Sequence, residues 1–222
     1  MPGLTVEMRC KLVSWEEVVE MCKTLASKIE ADGYIPDTIV GLARSGFVPS
    51  RLLSDLLAVT DLVALKVEHW LDTTGEHREE ATIPYKTPFR LEGKRVLVVD
   101  DIVDTGKSMN ISVDYLRQFN PSTLKTAVMQ YITASEHKPD YYAVKIEGWT
   151  WFVYPWNLYE DLGNLSSRLL KAAGKPLTLE ELAEGFKEKF SVEVKPSLLE
   201  EALTRLQRRG KAVRTGEGWA SR

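Results

Sequence analysis

A pair of acidic residues and a short polar loop follow one another in the middle of the sequence. Asp100 and Asp101 come directly after an apolar run, residues 96–99, and two residues later the chain reads Asp-Thr-Gly-Lys-Ser over residues 104–108. Gly106 permits a tight turn, after which backbone N–H groups can converge on a phosphate, assisted by two hydroxyls and a lysine. Carboxylates repel phosphate but suit sugar hydroxyls or a divalent cation. The segment therefore predicts a phosphate cradle beside a diol or metal site, as a ribose 5-phosphate requires.

The elements that must position this loop are a strand before it and a helix after it. Residues 96–99 are Val-Leu-Val-Val, a run too short for a helix and typical of a strand buried on both faces. Residues 107–120 have the pattern of a helix. In open α/β sheets, ligands bind outside the carboxyl ends of the strands. We therefore expect the acidic pair and the loop at that edge of a sheet.

A second strand, loop and helix lie earlier in the chain. Residues 38–43 are predicted to form a buried strand, and a helix is predicted to end near Ala58, with Arg44, Ser45 and Gly46 between them. Small residues at this point can expose backbone N–H groups, and Arg44 can neutralise an anion. Further elements are predicted at residues 8–13, 62–67, 124–131 and 142–146 (strands) and 14–31 (a helix opened by a capping box). This alternation indicates the α/β class.

Residues 98–108 closely resemble the phosphoribosyl-pyrophosphate (PRPP) motif of type I phosphoribosyltransferases: a hydrophobic strand, an acidic pair, two apolar residues and Asp-Thr-Gly. The glycine and lysine spacing of a P-loop is absent. The resemblance covers about residues 10–160 and implies the fold of that family, a mostly parallel central sheet flanked by helices, with a hood over the base. It also implies transfer of ribose 5-phosphate from PRPP to N9 of a purine, with release of pyrophosphate and Mg²⁺ as cofactor.

The same resemblance assigns roles to residues. Asp100 and Asp101 would hold the ribose hydroxyls, with Asp101 reaching the metal, and Asp104 would contact purine N7 and assist proton transfer as the catalytic residue. The loop at Arg44 would hold the pyrophosphate, and residues 104–108 would hold the 5′-phosphate. The implied PRPP-binding set is Arg44, Ser45, Gly46, Asp100, Asp101, Asp104, Thr105, Gly106, Lys107 and Ser108.

We expect the purine to be adenine. In 6-oxopurine enzymes a lysine near one strand end donates to the 6-oxo group, and Ile132 stands at the matching position here. A site that lacks this donor favours a 6-amino purine. His137 or Lys138 could restore a donor, so hypoxanthine, guanine or xanthine is the alternative. Trp151 and Phe152 resemble the base-binding hood of the xanthine-guanine branch, where the first stacks on the purine and the second presents backbone groups to its edge.

The composition is that of an ordinary globular protein, with 222 residues of which 44% are hydrophobic and 27% charged. Cys10 and Cys22 stand apart without a metal-binding spacing, and no apolar run approaches the ~18 residues that a membrane helix needs. We expect a cytoplasmic protein without membrane attachment, and the family resemblance implies a homodimer. Residues 68–92 are mostly polar and are expected to form a long loop, and the resemblance implies that a mobile loop at this position closes over the site.

The C-terminal residues differ from the rest in charge. Residues 164–222 carry twelve Lys and Arg against eight Asp and Glu, whereas residues 1–163 are net acidic. A domain boundary is therefore predicted at Asn164, with a phosphoribosyltransferase domain over residues 1–163 and a C-terminal three-helix domain over residues 164–222. Its predicted elements are helices at 165–173 and 178–190, a helix from Pro196 to before Gly210, and a hairpin within 211–220.

Three helices and a hairpin resemble a winged-helix domain, which would contact DNA. Glu200 and Glu201 stand on the helix that would read the DNA, so a small helical bundle is the preferred interpretation and nucleic acid is not expected as a partner. Repressors with this fold and a winged helix exist, however. A PRPP-sensing transcriptional regulator is therefore the alternative from a different functional class, and salt-dependent binding to duplex DNA would favour it.

Overall fold

The computed structural model describes residues 8–72 and 76–222. Its helices are α1 (Trp15–Ala31), α2 (Phe47–Leu56), α3 (Lys107–Arg117), α4 (Leu158–Ala173), α5 (Leu179–Phe190) and α6 (Pro196–Arg208). Its strands are β1 (Cys10–Leu12), β2 (Thr38–Ala43), β3 (Leu62–Lys66), β4 (Glu68–Asp72), β5 (Glu76–Thr82), β6 (Arg95–Val103), β7 (Thr123–Ile132), β8 (Tyr141–Ile146), β9 (Trp151–Val153), β10 (Ala212–Thr215) and β11 (Gly218–Ser221). In these two stretches, no helix has both the length and the apolar character needed to cross a membrane.

Five strands form the central sheet, in the order β3-β2-β6-β7-β8, and all four pairings between them are parallel. The strand that carries the acidic pair lies in the middle, with Val98 aligned to Val40 of β2 on one side and to Thr126 of β7 on the other. Parallel strands place their carboxyl ends at one edge. The predicted α/β fold with a mostly parallel central sheet is therefore confirmed.

Helices cover both faces of this sheet because its strands are apolar on both sides. On one face, Val96 and Val98 share a buried cluster with Met109 and Val113 of α3. The alternate residues of β6 are also fully buried, and α1 contacts β7 and β8. Helix α1 presents an apolar stripe with helical periodicity, formed by Val18, Met21, Cys22, Leu25, Ala26 and Ile29. Burial on both faces explains the continuous apolar run that predicted β6.

Strand β6 is longer than the four-residue run that predicted it. It extends to Val103 and therefore includes Asp100 and Asp101, because β7 continues to pair with it as far as Tyr131. Residues 104–108, the predicted phosphate loop, begin immediately after this strand. The acidic pair is thus held by regular sheet pairing rather than by a turn.

Residues 68–92, where the resemblance implies a mobile loop, contain two strands. Strands β4 and β5 pair with each other within this segment, while residues 73–75 of the predicted loop lie outside the described residues. A run of polar side chains shows that a segment does not fill a core. It does not prevent the backbone from pairing as a two-stranded ribbon.

The chain divides into two compact units. One contains residues 15–71 and 76–149, and therefore the whole central sheet. The other contains residues 8–14, Asp72 and residues 150–222, so that β1 and β9 belong with the C-terminal helices. The predicted boundary at Asn164 falls inside α4. The change in charge that suggested it does not coincide with a break in packing, because Asn164 is buried within that helix.

The C-terminal segment has the element order of a winged helix. After α4, Leu177 forms a pair of backbone hydrogen bonds with Trp219, so it adds a third, one-residue strand to the β10–β11 hairpin. Helices α5 and α6 lie between this residue and the hairpin in sequence, and α5 begins with a capping box at Thr178. The three predicted helices and the hairpin are present. The plain helical bundle that the sequence favoured does not include this small sheet.

Candidate active site

The three aspartates of the PRPP motif each accept a hydrogen bond from the next backbone N–H. The Asp101 N–H donates to Asp100 Oδ1 at 2.9 Å, the Ile102 N–H to Asp101 Oδ1 at 2.8 Å, and the Thr105 N–H to Asp104 Oδ1 at 2.5 Å. These bonds fix one oxygen of each side chain against the backbone. A carboxylate that is oriented in this way is ready to bind a ligand without first losing conformational freedom.

Burial shifts the pKa values of the acidic pair. Desolvation raises the pKa of Asp100 well above its usual value, and the negative charge of Asp101 raises it further. The pKa of Asp101 is raised to about 6, again chiefly by burial, with a smaller contribution from the charge of Asp104. Two adjacent carboxyl groups in a site with little water are stabilised when a cation or hydroxyl donors approach them.

The composition of this site fits a magnesium ion shared with a substrate. Over residues 8–72 and 76–222, no group of three or more His, Cys, Asp or Glu side chains is arranged to hold a metal. Mg²⁺ is commonly bound by one or two carboxylates together with substrate phosphates and water, rather than by a cage of protein ligands. Asp101, with Asp100 beside it, supplies that kind of donor set.

The predicted phosphate loop turns at Gly106, where the sequence predicts a tight turn. Gly106 has φ +88° and is the N-cap of α3, whose first turn closes when the Asn110 N–H donates to the Gly106 carbonyl at 2.9 Å. The left-handed conformation favours glycine strongly. The loop therefore leads into the amino end of an eleven-residue helix, where unsatisfied N–H groups and the helix dipole attract an anion.

A turn that follows β7 packs against this loop, and the sequence did not predict this contact. The Glu136 N–H donates to the carbonyl of Thr105 at 3.0 Å. A Cβ atom placed on Gly106 would lie 2.5 Å from the His137 nitrogen and 2.7 Å from Ser135 Oγ. The loop and the turn are therefore in direct backbone contact, and no larger residue than glycine fits between them.

The His137 ring joins the turn to two other elements. Its Nδ1 atom lies 2.7 Å from Asn110 Oδ1 in α3, and its Nε2 atom lies 3.3 Å from Thr126 Oγ1 in β7. Asp140 accepts hydrogen bonds from the backbone N–H and the hydroxyl of Thr126, at 2.7 and 2.9 Å. Burial lowers the pKa of His137. The ring is thus part of the packing around the phosphate loop.

The loop proposed for pyrophosphate meets the acidic pair at Gly46. A Cβ atom on this residue would lie 2.6 Å from the Leu42 carbonyl oxygen, 2.7 Å from that of Val99 and 2.9 Å from Asp100 Oδ1. Arg44 is exposed, and its peptide bond with the preceding alanine is cis. The structure therefore brings the residues after β2 together with the carboxyl end of β6, as the sequence predicts.

Ile132 is the last residue of β7, where it pairs with Ile146 of β8, and its side chain is only 3% exposed. The position predicted to lack a cation is thus filled by a buried apolar group. Of the two residues considered as replacement donors, His137 has both ring nitrogens within hydrogen-bond distance of Asn110 and Thr126, and Lys138 is exposed.

Trp151 and Phe152, the residues predicted to bind the base, belong to the other compact unit. They form part of β9, which pairs in parallel with β1, and the Trp151 N–H donates to the Arg9 carbonyl at 2.8 Å. Both side chains are half-buried. Two residues further on, the rings of Tyr154 and Trp156 stack 4.7 Å apart and nearly parallel. Strand pairing and ring stacking give this segment a fixed conformation.

These motifs and their arrangement agree with one family, the phosphoribosyl transferase domain, which matches residues 11–161. The chain belongs to this family. Among curated relatives, xanthine-guanine phosphoribosyltransferase from Idiomarina loihiensis is 28% identical over 148 residues, covering 66% of this chain and 86% of the relative. The family match ends inside α4, so most of the C-terminal unit lies beyond it.

Two solved structures are similar to this phosphoribosyltransferase. A purine phosphoribosyltransferase from Pyrococcus horikoshii has 29% identity and a TM-score of 0.58, covering 67% of this chain and 94% of that one. A hypothetical protein from Neisseria gonorrhoeae with bound ppGpp has 26% identity and a TM-score of 0.59, covering 76% of this chain and 98% of that one. Over the covered residues, the chain therefore shares its fold with both structures.

Proposed function

We propose that this protein transfers ribose 5-phosphate from PRPP to a purine and releases pyrophosphate. The observation that carries the proposal is the meeting of three features at one sheet edge: the Asp100–Asp101 pair, of which Asp101 is buried, the left-handed Gly106 at the start of α3, and Gly46 against Asp100. These would bind the ribose diol, the 5′-phosphate and the pyrophosphate respectively. Family membership and the purine enzymes among its relatives support the same reaction.

We further propose that the base is a 6-oxopurine, namely hypoxanthine, guanine or xanthine. The relatives support this choice, because the curated enzymes that match over most of their length are named for xanthine and guanine. They favour the alternative over the adenine specificity expected from sequence. Because Ile132 is apolar, recognition of a 6-oxo group would then depend on a donor other than the residue at this position.

Adenine is a second candidate, and one specific observation favours it. Ile132 is buried at the strand end where a lysine would donate to the 6-oxo group, and the His137 ring already contacts Asn110 and Thr126. A buried carbonyl without a donor is costly, so an apolar residue here disfavours a 6-oxopurine. The choice between adenine and a 6-oxopurine therefore depends on the environment of one residue, Ile132.

In the proposed mechanism, the protein holds PRPP on both sides of the bond that breaks. The carboxylates of Asp100 and Asp101 accept hydrogen bonds from the ribose hydroxyls, while residues 104–108 bind the 5′-phosphate through backbone N–H groups. Arg44 stabilises the leaving pyrophosphate. Asp104 accepts a proton from the purine as N9 bonds to the ribose carbon. Mg²⁺, held by Asp101 together with Asp100, would supply positive charge to the pyrophosphate.

A panel of nucleobases tests this proposal. The purified protein is incubated with PRPP, Mg²⁺ and each of adenine, hypoxanthine, guanine, xanthine and uracil, and nucleotide formation is measured. Turnover of the 6-oxopurines supports the first candidate, and turnover of adenine alone supports the second. Omitting Mg²⁺ and adding a chelator tests the metal.

Absence of turnover with every base would contradict the enzymatic proposal. If PRPP then still bound, the winged-helix element order would make a PRPP-sensing regulator the better hypothesis. Binding to duplex DNA that weakens steeply with salt would support that hypothesis, because neutralised phosphates release counterions. The homodimer and the cytoplasmic location stay predictions, and the first is tested by sedimentation of the purified protein.

A further inference from the structure

The hydrophobic core of the C-terminal helices extends to the strand that carries the predicted base-binding residues. Val153 of β9 and Cys10 of β1 are buried in one cluster with Leu162 of α4, Phe186 of α5 and Leu203 of α6. Trp151 packs against the same cluster. The beginning of β1 is also tied to the end of α5, because the Met8 N–H donates to the Lys189 carbonyl at 3.0 Å. The strand and the helices form one packed structure.

Helix α4 connects β9 to the other C-terminal helices without a flexible linker. It begins at Leu158, directly after the aromatic segment that ends at Trp156, and its N-cap Asn157 donates its N–H to the Tyr154 carbonyl at 3.0 Å. Seven consecutive residues of α4, 161–167, are buried, including polar ones. A helix that is buried all round is packed by neighbours on several sides. Helix α4 is therefore a rigid connection, and a displacement of its first turn should displace the aromatic segment before it.

A stacked pair of side chains fixes the first turn of α4 to α6. The guanidinium of Arg205 lies over the Tyr159 ring, 3.7 Å from its centre, and Arg205 Nη1 donates to the Glu201 carbonyl at 2.9 Å. A hydrogen bond to Glu201, with the negative charge of that carboxylate, raises the pKa of the Tyr159 hydroxyl. Tyr159 stands only two residues after Asn157. The pair thus holds α4 at the point where the base-binding segment ends.

The charges of α6 do not suit the reading of DNA. Glu200 forms an ion pair with Arg214 of β10 at 3.1 Å, and Glu201 forms one with Arg205 at 3.5 Å. Arg205 and Arg214 are therefore both paired with carboxylates of α6. The Glu200–Arg214 pair joins α6 to β10, whereas Glu201 and Arg205 lie on α6 itself. These ion pairs are better explained by a structural role than by contact with a polyanion.

We propose that residues 158–222 position the nucleobase hood, and that Arg205 and Tyr159 are positioning residues for the purine. The inference rests on the proposed function, since it takes Trp151 and Phe152 as the residues that contact the base. Loosening the start of α4 should shift the segment formed by residues 151–157 and reduce purine binding. PRPP binding should not change, because its proposed ligands belong to the other compact unit.

Four variants of the full-length protein test this inference. Arg205→Ala removes the guanidinium, and Tyr159→Ala removes the ring, whereas Tyr159→Phe keeps a ring on which the guanidinium can stack. Arg209→Ala is the matched control, because Arg209 is an exposed arginine four residues after Arg205. The measurements are KM for the purine, KM for PRPP, and amide hydrogen exchange over residues 151–157.

We expect KM for the purine to rise about three- to tenfold in Arg205→Ala and Tyr159→Ala, as loss of a stacked cation predicts. KM for PRPP should stay within about twofold, and exchange over residues 151–157 should accelerate in the same two variants. Arg209→Ala and Tyr159→Phe should resemble the wild type. A fifth variant that combines Arg205→Ala and Tyr159→Ala should be no worse than the worse single variant, because both changes remove the same contact.

An equal KM for the purine in Arg205→Ala and Arg209→Ala would overturn the inference. A parallel rise in KM for the purine and KM for PRPP in Arg205→Ala would overturn it too, because that result indicates general destabilisation. Unchanged exchange over residues 151–157 would overturn it as well. If the wild type converts no purine, the proposed function fails on its own. The exchange comparison between Arg205→Ala and Arg209→Ala then decides whether the C-terminal residues position the hood segment.

Discussion

The backbone nitrogen of His137 lies 2.5 Å from the point that a Cβ atom on Gly106 would occupy. The two residues are thirty-one positions apart in the sequence, on the loop after β6 and the turn after β7. Their contact means that the phosphate loop has the turn, and not solvent, on one side. The shape of the proposed 5′-phosphate site therefore depends on residues outside the PRPP motif.

Gly106→Ala is expected to weaken PRPP binding by more than tenfold. The substitution places a methyl group against the His137 nitrogen and requires a non-glycine residue at φ +88°, which alone costs ~1–2 kcal/mol. The measurement is PRPP affinity by calorimetry. Gly33→Ala is the control, because Gly33 also has positive φ but no atom within 4 Å of its added Cβ. If both variants bound PRPP equally well, the contact with the turn would have no role.

The hydrogen-bond network around His137 makes a second prediction. His137 Nδ1 lies 2.7 Å from Asn110 Oδ1, an oxygen that can only accept, so Nδ1 donates to it. Burial lowers the pKa of His137 and therefore favours the neutral ring, in which Nε2 carries no proton and faces Thr126 Oγ1 at 3.3 Å. His137→Ala should raise KM for PRPP by about tenfold, the equivalent of one or two hydrogen bonds.

His137→Asn is the matched variant, because its amide nitrogen can take the place of Nδ1 and donate to Asn110 Oδ1. We expect its KM for PRPP to lie closer to that of the wild type. KM for the purine separates this role from a role in base recognition. A rise in purine KM alone in His137→Ala would indicate that the ring contacts the base, and would contradict the assignment to the phosphate loop.

Asp101→Asn is expected to stabilise the substrate-free protein at neutral pH. Burial raises the pKa of Asp101 to about 6 in the folded state, so above pH 6 the protein holds a carboxylate that would be better solvated when unfolded. The amide removes this cost and keeps an oxygen for the Ile102 N–H. The gain should be roughly 1–3 kcal/mol, or several degrees in melting temperature at ~2–4 °C per kcal/mol.

The stability difference between Asp101→Asn and the wild type should depend on pH in a defined direction. Wild-type Asp101 is charged in both states above about pH 6, whereas below its usual value near 4 it is protonated in both. The advantage of Asp101→Asn should therefore be largest above pH 6, shrink between pH 6 and 4, and vanish below. Melting curves across this range measure it. An advantage that grew as the pH fell would contradict the assigned cause.

The central sheet could be predicted because its strands are buried on both faces and therefore appear as continuous apolar runs, as residues 96–99 do. The pairing of β1 with β9 could not, since about 140 residues separate Cys10 from Trp151 and each strand has only three residues. Short strands lack periodicity. The same limit applies to Leu177, a single residue that completes the C-terminal sheet.

The candidate site was predicted in part for a related reason. Asp100 and Asp101 carry carboxylates, and Gly106 has no side chain. Their residue types and spacing are therefore enough to indicate their chemical roles. Glu136 contacts the loop through its backbone N–H, a group that almost every residue has. Nothing in its residue type marks that contact, and only the arrangement of β7 and α3 reveals it.

Asp104→Asn tests the proposed proton acceptor. The Thr105 N–H donates to Asp104 Oδ1 at 2.5 Å, and an asparagine oxygen can accept the same bond, so the loop should keep its conformation while the negative charge is lost. We expect kcat to fall by about 10²–10⁴-fold, the usual contribution of general acid–base catalysis, with little change in KM for PRPP. Steady-state kinetics with the preferred base measure both. Full turnover in Asp104→Asn would remove Asp104 from this role, while a loss confined to KM for PRPP would make it a ligand of the ribose phosphate instead.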